Sequence, residues 1–283
     1  MGESEPDVPA AALEDVAYLS RSPNRVKILA VLADRTVTRH ELADITDTAR
    51  TTLDRTVNEL EDRDWAERTV DGTYTATPRG ERLQRQFKPF LDSVAAIRRL
   101  EEAVEWLPAA ELTIGLEHFA DAEVVRPAGD DPVETIDLMV EMVEGATEHR
   151  ALTHLVPPAP LSDAIREGVA SGRLTADGVL TADNIEFLRE APERRRRWEA
   201  ILEAGNGELY RYDGNIPCNL WIIDEHVLIK QSGPEPFAES YGVPIRSENE
   251  TVRSWANDLI DTYRAEATRL EKGYFAGPAP SAE

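Results

Sequence analysis

Between Asp47 and Arg63 the chain places Thr48, Thr51, Arg55 and Asn58 at steps of three and four. In a helix these side chains share one face. Short hydroxyls, a guanidinium and a carboxamide suit a DNA major groove, where Arg forks onto guanine, Asn onto adenine, and Thr meets a phosphate or a thymine methyl. The opposite face collects Ala49, Leu53, Thr56, Val57 and Leu60 at the spacing of a core-facing stripe. A solvated helix surface would have the same composition, so the helix alone leaves both readings open. The neighbouring elements decide between them.

Ser22-Pro23 supplies an N-cap and a first-turn proline for a helix carrying Val26, Ile28, Leu29, Val31 and Leu32 to about Ala33. Thr38-Arg39-His40-Glu41 has capping-box spacing and opens a short helix with Leu42 and Ile45, followed by a tight turn at Asp47 or Thr48. After the polar-faced helix, the β-prone runs 65–70 and 74–77 flank Asp71-Gly72, a strong hairpin turn. The order is helix, helix, turn, helix, hairpin. Over roughly Asp15 to Gly80 it resembles the winged helix-turn-helix regulators of the ArsR and MarR type, the closing Thr77-Pro78-Arg79-Gly80 included. The resemblance implies double-stranded DNA as partner. The expected contacts are Thr38, Arg39 and His40 on the first helix of the motif, Thr48, Arg50, Thr51, Thr52, Arg55 and Asn58 on the second, and Arg68 and Thr73 in the wing.

The charge balance first argues against such a partner, since 31 basic and 54 acidic residues leave the 283-residue chain at −23. The acidity is unevenly placed, however. From Ser20 to Arg85 there are 12 basic and 12 acidic residues, so the rest of the chain carries the whole excess. Only four lysines occur, at 27, 88, 230 and 272. Abundant Asp and Glu with so little Lys resembles proteins of halophilic archaea, in which acidity reflects solvent contact more than partners. The alternative is an acidic interaction surface. DNA binding must then rest on a local basic face of Arg39, Arg50, Arg55 and Arg68.

A lone Cys218 forms no intrachain disulfide and no Cys-x-x-Cys clasp, as expected of a reducing cytoplasm. No apolar run reaches membrane-spanning length, and the acidic start lacks the basic region of a signal peptide, so a cytoplasmic protein without membrane contact is expected. Residues 1–10 and 273–283, the latter rich in Pro, Ala, Ser and Glu, read as disordered tails. Between them the expected order is a DNA-binding domain over 11–80, a linking helix over 81–107 and an α/β domain over 108–272.

Leu83, Phe87, Phe90, Val94, Ile97 and Val104 repeat at steps of four and three, with one interruption at Glu101. Pro89 lies within this seam and is expected to kink or split the helix near Phe87-Lys88. The seam could pack onto the chain's own domains. A homodimer contact is the preferred expectation, because helix-turn-helix proteins read two half-sites related by a two-fold axis.

From Leu107-Pro108 strands alternate with helices. Strands are expected at 112–116, 122–126, 151–156, 174–180, 208–212, 218–224 and 227–231. Helices are expected from Asp131-Pro132, within 157–171, over 182–204 with the run Arg194 to Arg197, and over 248–270. The fold class is α/β with a mixed sheet behind an N-terminal winged helix. Gly207-Glu208-Leu209-Tyr210-Arg211-Tyr212, then Ile216-Pro217 and an apolar strand closing on Asp224, resembles the sensor domain of archaeal regulators of methanogenesis and filament formation over about residues 110–270. That likeness implies an effector domain and does not identify the effector.

Catalytic signatures are missing from the sequence. None of the histidines at 40, 118, 149, 154 and 226 is followed two residues later by Lys, as phospholipase D-like phosphodiesterases require, and there is no Gly-x-Ser-x-Gly, Walker loop or Gly-x-Gly-x-x-Gly. A non-enzymatic protein without cofactor or metal is therefore expected. Thr153, Arg211, Tyr212 and Lys230 fall on adjacent expected strands and are the candidate ligand residues. An Arg in an apolar pattern is either paired with a carboxylate such as Asp213 or Asp224 or waits for an anionic small molecule. The alternative to an effector domain is a protein-binding platform with a filled core.

Overall fold

A computed structural model describes residues 9–126, 132–233 and 243–276. It divides between Leu91 and Asp92 into two compact units.

The first unit holds α1 (Ala10–Ser20), α2 (Pro23–Asp34), α3 (Arg39–Thr46), α4 (Arg50–Asp62), the antiparallel pair β1 (Ala66–Arg68) and β2 (Tyr74–Ala76), and the start of α5 (Pro78–Leu100). Its core gathers Leu19, Ile28, Leu29, Leu32, Leu42, Leu53, Val57, Leu60, Trp65 and Phe87. The helix α1 has no counterpart in the sequence reading, because only Tyr18 and Leu19 of it are buried while Leu13 and Val16 are exposed. Tyr18 fixes it in place, stacked under Arg25 and Arg63 at 4.0 and 4.1 Å and donating its hydroxyl to Glu59 at 3.0 Å. Helix α5 starts against the backbone of the wing. The N–H of Gly80 donates to Thr77 Oγ1 at 3.1 Å, and that hydroxyl donates to the Asp64 carbonyl at 2.6 Å.

Of the two expected effects of Pro89, a kink or a split, the split does not occur, and α5 runs through it as one helix. The bond it removes frees the carbonyl of Arg85, an exposed residue, where water can take its place. The expected seam is itself divided. Leu83 and Phe87 pack into the first unit, and Val104 packs into the second, whereas Phe90, Val94 and Ile97 remain 54%, 40% and 45% exposed.

The second unit takes the end of α5, α6 (Ala103–Trp106) and a single 3-10 turn (Leu116–Phe119) before its sheet. The strands are β3 (Glu123–Val124), β4 (Glu148–Thr153), β5 (Thr175–Thr181), β6 (Gly207–Tyr212), β7 (Cys218–Ile223), β8 (His226–Gln231), β9 (Ile245–Ser247) and β10 (Thr268–Arg269). They lie in the order β10-β6-β5-β4-β7-β8-β9-β3, with β4, β5 and β6 parallel and every other pair antiparallel. Alternate strand residues serve opposite faces. Ala151, Ala176, Leu180, Leu209, Trp221 and Leu228 pack under α7 (Pro132–Gly145), α8 (Ala159–Ala170), α9 (Ala182–Glu190) and α10 (Pro192–Ala204). Leu152, Val179, Leu220, Ile222, Val227 and Ile229 pack under α11 (Glu250–Glu266) through Val252, Trp255, Leu259 and Ile260.

A buried ionic group joins β4, β5 and α11. Arg150 donates to Asp177 at 2.9 Å, to Asp261 at 2.6 Å and to Asn257 at 2.5 Å, and Arg264 reaches the same Asp177 oxygen at 3.0 Å. Hydrogen bonds from several donors compensate the desolvation of these charges.

Several boundaries differ from the sequence reading. The strand expected at 112–116 is instead a loop, whose Leu112, Ile114 and Leu116 still pack on the α11 side. The helix expected over 182–204 is two helices, because Pro192 holds Ala191 extended at φ −106° and ψ 130° and starts a new one. The short strands β9 and β10, three and two residues long, have no period to read. Residues 273–276, expected to belong to the tail, are packed on the domain. Glu199 accepts the N–H of Phe275 at 2.9 Å, and Phe275 is 1% exposed in the core. The tail segments 1–8 and 277–283 lie outside the described residues.

Candidate nucleic-acid interface

Helix α3 is fixed by the expected capping box, in which Thr38 Oγ1 accepts the Glu41 N–H at 3.3 Å and the Glu41 carboxylate accepts the Thr38 N–H at 2.7 Å. The Thr38 N–H, and after it the Thr38 hydroxyl donating to the same carboxylate at 2.7 Å, hold the pKa of the Glu41 carboxyl below its ordinary value. Asp47 ends α3 in the left-handed region, φ 47°, and sends the N–H of Thr48 back to the Ala43 carbonyl at 3.1 Å.

That turn corrects one expected contact. Thr48 is 6% exposed and donates to the Thr46 carbonyl at 3.2 Å, so it faces the domain's interior, while Ala49, expected inside, is exposed. The left-handed residue resets the phase, and the helical wheel applies only from Arg50. From there the stripe falls as expected, with Leu53, Thr56, Val57 and Leu60 buried. Arg50, Thr51, Arg55 and Asn58 are exposed, and Thr52 is half-buried between the two faces. Ala49 gives the first turn no side-chain cap, so the N–H groups of Arg50 and Thr51 remain open to an acceptor such as a phosphate oxygen, while that of Thr52 donates to the Ala49 carbonyl at 2.9 Å.

The cations differ in availability. Arg39 Nη1 is 2.7 Å from Asp54 and its Nε donates to Tyr74 Oη at 2.9 Å, which makes it a clamp joining α3, α4 and β2. Thr38 is likewise occupied as the cap. His40 is exposed beside Asp44 at 3.0 Å. Arg55 has only a loose i,i+4 approach to Glu59 at 3.7 Å, with its side chain 69% exposed, and Arg50 has no ion-pair partner among the described residues. In the wing, Gly72 at φ 82° closes the turn with its N–H on the Thr69 carbonyl at 3.0 Å. Arg68 is exposed, and the hydroxyls of Thr73 and Thr69 lie 2.7 Å apart. Val70 stands wholly in solvent at the wing tip, a position the sequence reading left aside although a β-branched residue before Asp-Gly marks it.

The four candidate ligand residues of the second unit do not converge on one site. Thr153 is buried and donates to Asn219 Oδ1 at 2.8 Å. Arg211 is paired with Asp213 at 2.8 Å and with Glu186 at 3.5 Å. Tyr212 packs edge-on to Tyr263 at 5.0 Å on the α11 side. Lys230 is half-buried, and burial pushes its amine below the ordinary value. Within the arginine run, Arg194 donates to the Phe187 carbonyl at 3.1 Å and Arg197 to Asp163 at 2.8 Å. Among the described residues no group of three His, Cys, Asp or Glu is placed to hold a metal, and no helix is long and apolar enough to cross a membrane.

Solved structures give only distant similarity. An archaeal chromatin protein, TrmBL2, is 17% identical with a TM-score of 0.42 over 90% of this chain and 98% of its own. NucT from Helicobacter pylori is 12% identical, TM-score 0.38, over 53% and 97%. An IclR-family putative transcriptional regulator from Rhodococcus is 15% identical, TM-score 0.20, over 94% and 98%. No curated relative matches. The family models are more specific. Residues 13–99 match the HVO_A0261 N-terminal domain, and residues 132–266 match the middle domain of the methanogenesis regulatory protein FilR1. With the capped α3, the hairpin wing and the mixed sheet in place, the chain reads as a regulator in which an HVO_A0261-type winged helix-turn-helix segment over 13–99 precedes a FilR1-type middle segment over 132–266.

Proposed function

We propose that this chain is a cytoplasmic, sequence-specific DNA-binding transcription regulator that acts as a homodimer and whose α/β domain senses an effector. One observation carries the DNA-binding part. Helix α4 buries Leu53, Thr56, Val57 and Leu60 and leaves Arg50, Thr51, Arg55 and Asn58 outward, with the N–H groups of Arg50 and Thr51 uncapped at its start. Arg55 and Asn58 reach bases, Arg50 and Thr51 meet phosphate at the helix start, and Arg68 meets phosphate from the wing. Arg39 positions α4 through Asp54.

The dimer rests on Phe90, Val94 and Ile97, three large apolar groups exposed at steps of four and three on one helix. Two copies would supply the second half-site. Non-enzymatic action agrees with the absence of catalytic signatures in the sequence, and the FilR1-type match supports a regulatory role.

The test is selection of a preferred site from random duplex DNA by the full chain, followed by anisotropy titrations. Arg55→Ala is expected to lose about 1–3 kcal/mol on the selected site and much less on random duplex, while Arg68→Ala weakens both alike. Equal loss on both duplexes for Arg55→Ala removes the base-reading role, and failure to bind any duplex removes the proposal.

A further inference from the structure

The strands β4, β5, β6 and β8 all run in one direction and end at one edge of the sheet. In open α/β sheets ligands sit outside the carboxyl ends of the strands. Here that edge carries an open cleft of about 400 Å³. His154 follows β4 there, Thr181 and Asp183 lie where β5 passes into α9, Asp213 and Asn215 follow β6, and Ser232 follows β8.

Thr181 is the informative residue. It is 8% exposed, its hydroxyl has no hydrogen-bond partner among the described residues, and it borders the cleft. It also occupies the N-cap of α9 without making the usual side-chain bond to the helix. A buried hydroxyl of a residue that borders a cleft, with no hydrogen-bond partner among the described residues, carries an unmet bonding capacity that a ligand in the cleft could satisfy after a side-chain rotation. The first-turn N–H groups of α9 are uncapped beside it.

The chemistry of the lining selects the ligand. Among the described residues no Lys or Arg borders the cleft, and Arg211, the nearest guanidinium in sequence, is held by Asp213 and Glu186. An anion would face Asp183, for which no ion pair is found among the described residues, while the charge of Asp213 is already balanced by Arg211. A cation would meet the positive end of α9 and leave its N–H donors unused. Carboxylate acceptors next to hydroxyl, amide and helix N–H donors match a group that both donates and accepts, which is an alcohol. His154 Nδ1 and Ser232 Oγ share a hydrogen bond at 3.3 Å on the same edge, which leaves the serine hydroxyl its remaining bonding capacity. We infer that the cleft at the carboxyl edge of β4, β5, β6 and β8 binds a neutral polyhydroxylated small molecule, of sugar or polyol size, through Thr181, Asp183 and Asn215. This deepens the effector-sensing part of the proposed function and replaces the anionic class that Arg211 suggested.

The experiment uses the full chain and calorimetric titration at constant salt, with glucose, trehalose and myo-inositol as neutral probes, glucose 6-phosphate as the anionic probe and putrescine as the cationic one. Saturable binding of at least one neutral probe is expected, with the two charged probes at least about tenfold weaker. Thr181→Val should raise Kd about tenfold, the loss of one buried hydrogen bond, with an unchanged circular dichroism spectrum. Ser232→Ala is a second variant whose fold rests on no cap. Binding of none of the three neutral probes up to 50 mM overturns the inference, as does preference for either charged probe. Equal affinity in Thr181→Val and Ser232→Ala overturns it too. Duplex binding is measured on the same sample, so a chain that binds DNA but no polyol defeats this inference alone.

Discussion

His149 gives the protein a dependence on acid that can be worked from the structure. It lies on β4, 6% exposed, with Nε2 lacking a hydrogen-bond partner among the described residues, and it borders an interior cavity of only about 20 Å³ beside Trp198 and Trp221. Burial lowers its pKa from 6.5 to about 4, against a smaller opposing effect of its backbone hydrogen bond. Because the folded value lies below the unfolded one, the unfolded chain binds the proton more readily in acid. The stability is therefore present in full above about pH 6.5 and is lost as pH falls from there towards 4. With those two values the loss between pH 7 and pH 5 is about 2 kcal/mol. Carboxylates with ordinary pKa values contribute little in that range, but relief of the chain's own negative charge does act there, so a variant must serve as the reference. Urea unfolding of wild type and His149→Leu at pH 7, 6 and 5 and fixed salt isolates the effect. The wild type should lose about 2 kcal/mol more than the variant, which at pH 7 should equal or exceed it, since no buried nitrogen is left unpaired. Parallel pH profiles, or an NMR titration of His149 near pH 6.5, would refute the reasoning.

Three further outcomes are expected. Gly80→Ala should destabilise the winged domain by roughly 2 kcal/mol or more in thermal unfolding, because a Cβ there would stand 2.0 Å from the Trp65 carbonyl oxygen; a melting temperature within a degree of wild type would contradict that contact. Cys218, fully buried with its thiol pushed up to about 12 by burial, should resist a thiol reagent at pH 8 in the native state and react once urea unfolds the chain; prompt native reaction would show that the sheet opens there. Phe90→Glu with Val94→Glu should leave the fold intact and yield a monomer by light scattering with much weaker operator binding, whereas Phe87→Glu should unfold the domain; a wild type that is already monomeric ends the dimer proposal.

The sequence was legible wherever a period ran over several turns. Leu53, Thr56, Val57 and Leu60 fell on one face because α4 is regular from Arg50 onward. Thr48 was misread because one left-handed residue, Asp47, broke the phase the wheel assumed. The capping box at Thr38 and the turn at Gly72 were readable because each depends on residues a few positions apart. Phe87 and Phe90 looked alike on the seam, and only the folded chain tells that one is 4% and the other 54% exposed. Arg211 illustrates the wider gap. Its place in an apolar strand was visible, but its commitment to Asp213 and Glu186 depends on side-chain geometry and on a second element, and no local pattern encodes either. The unused hydroxyl of Thr181 is invisible for the same reason, since a lack of partners is a property of the packed chain.

The ionic group around Arg150 bears on how this acidic protein responds to ionic strength. Arg150 and Asp177 have side chains only 11% and 13% exposed, whereas pairs such as Arg35 with Asp34 are 61% and 67% exposed. At molar salt the screening length falls to about 3 Å, which erases most of the attraction within the exposed pairs and, equally, the mutual repulsion of surface carboxylates. Mobile ions cannot enter between Arg150 and Asp177. Concentrated salt thus removes the surface electrostatics of the domain and leaves the pair that ties β4 to β5 nearly untouched, while α11, whose Asp261 and Arg264 are 59% and 38% exposed, is held there by the neutral Asn257 bond and by the packing of Val252, Trp255, Leu259 and Ile260.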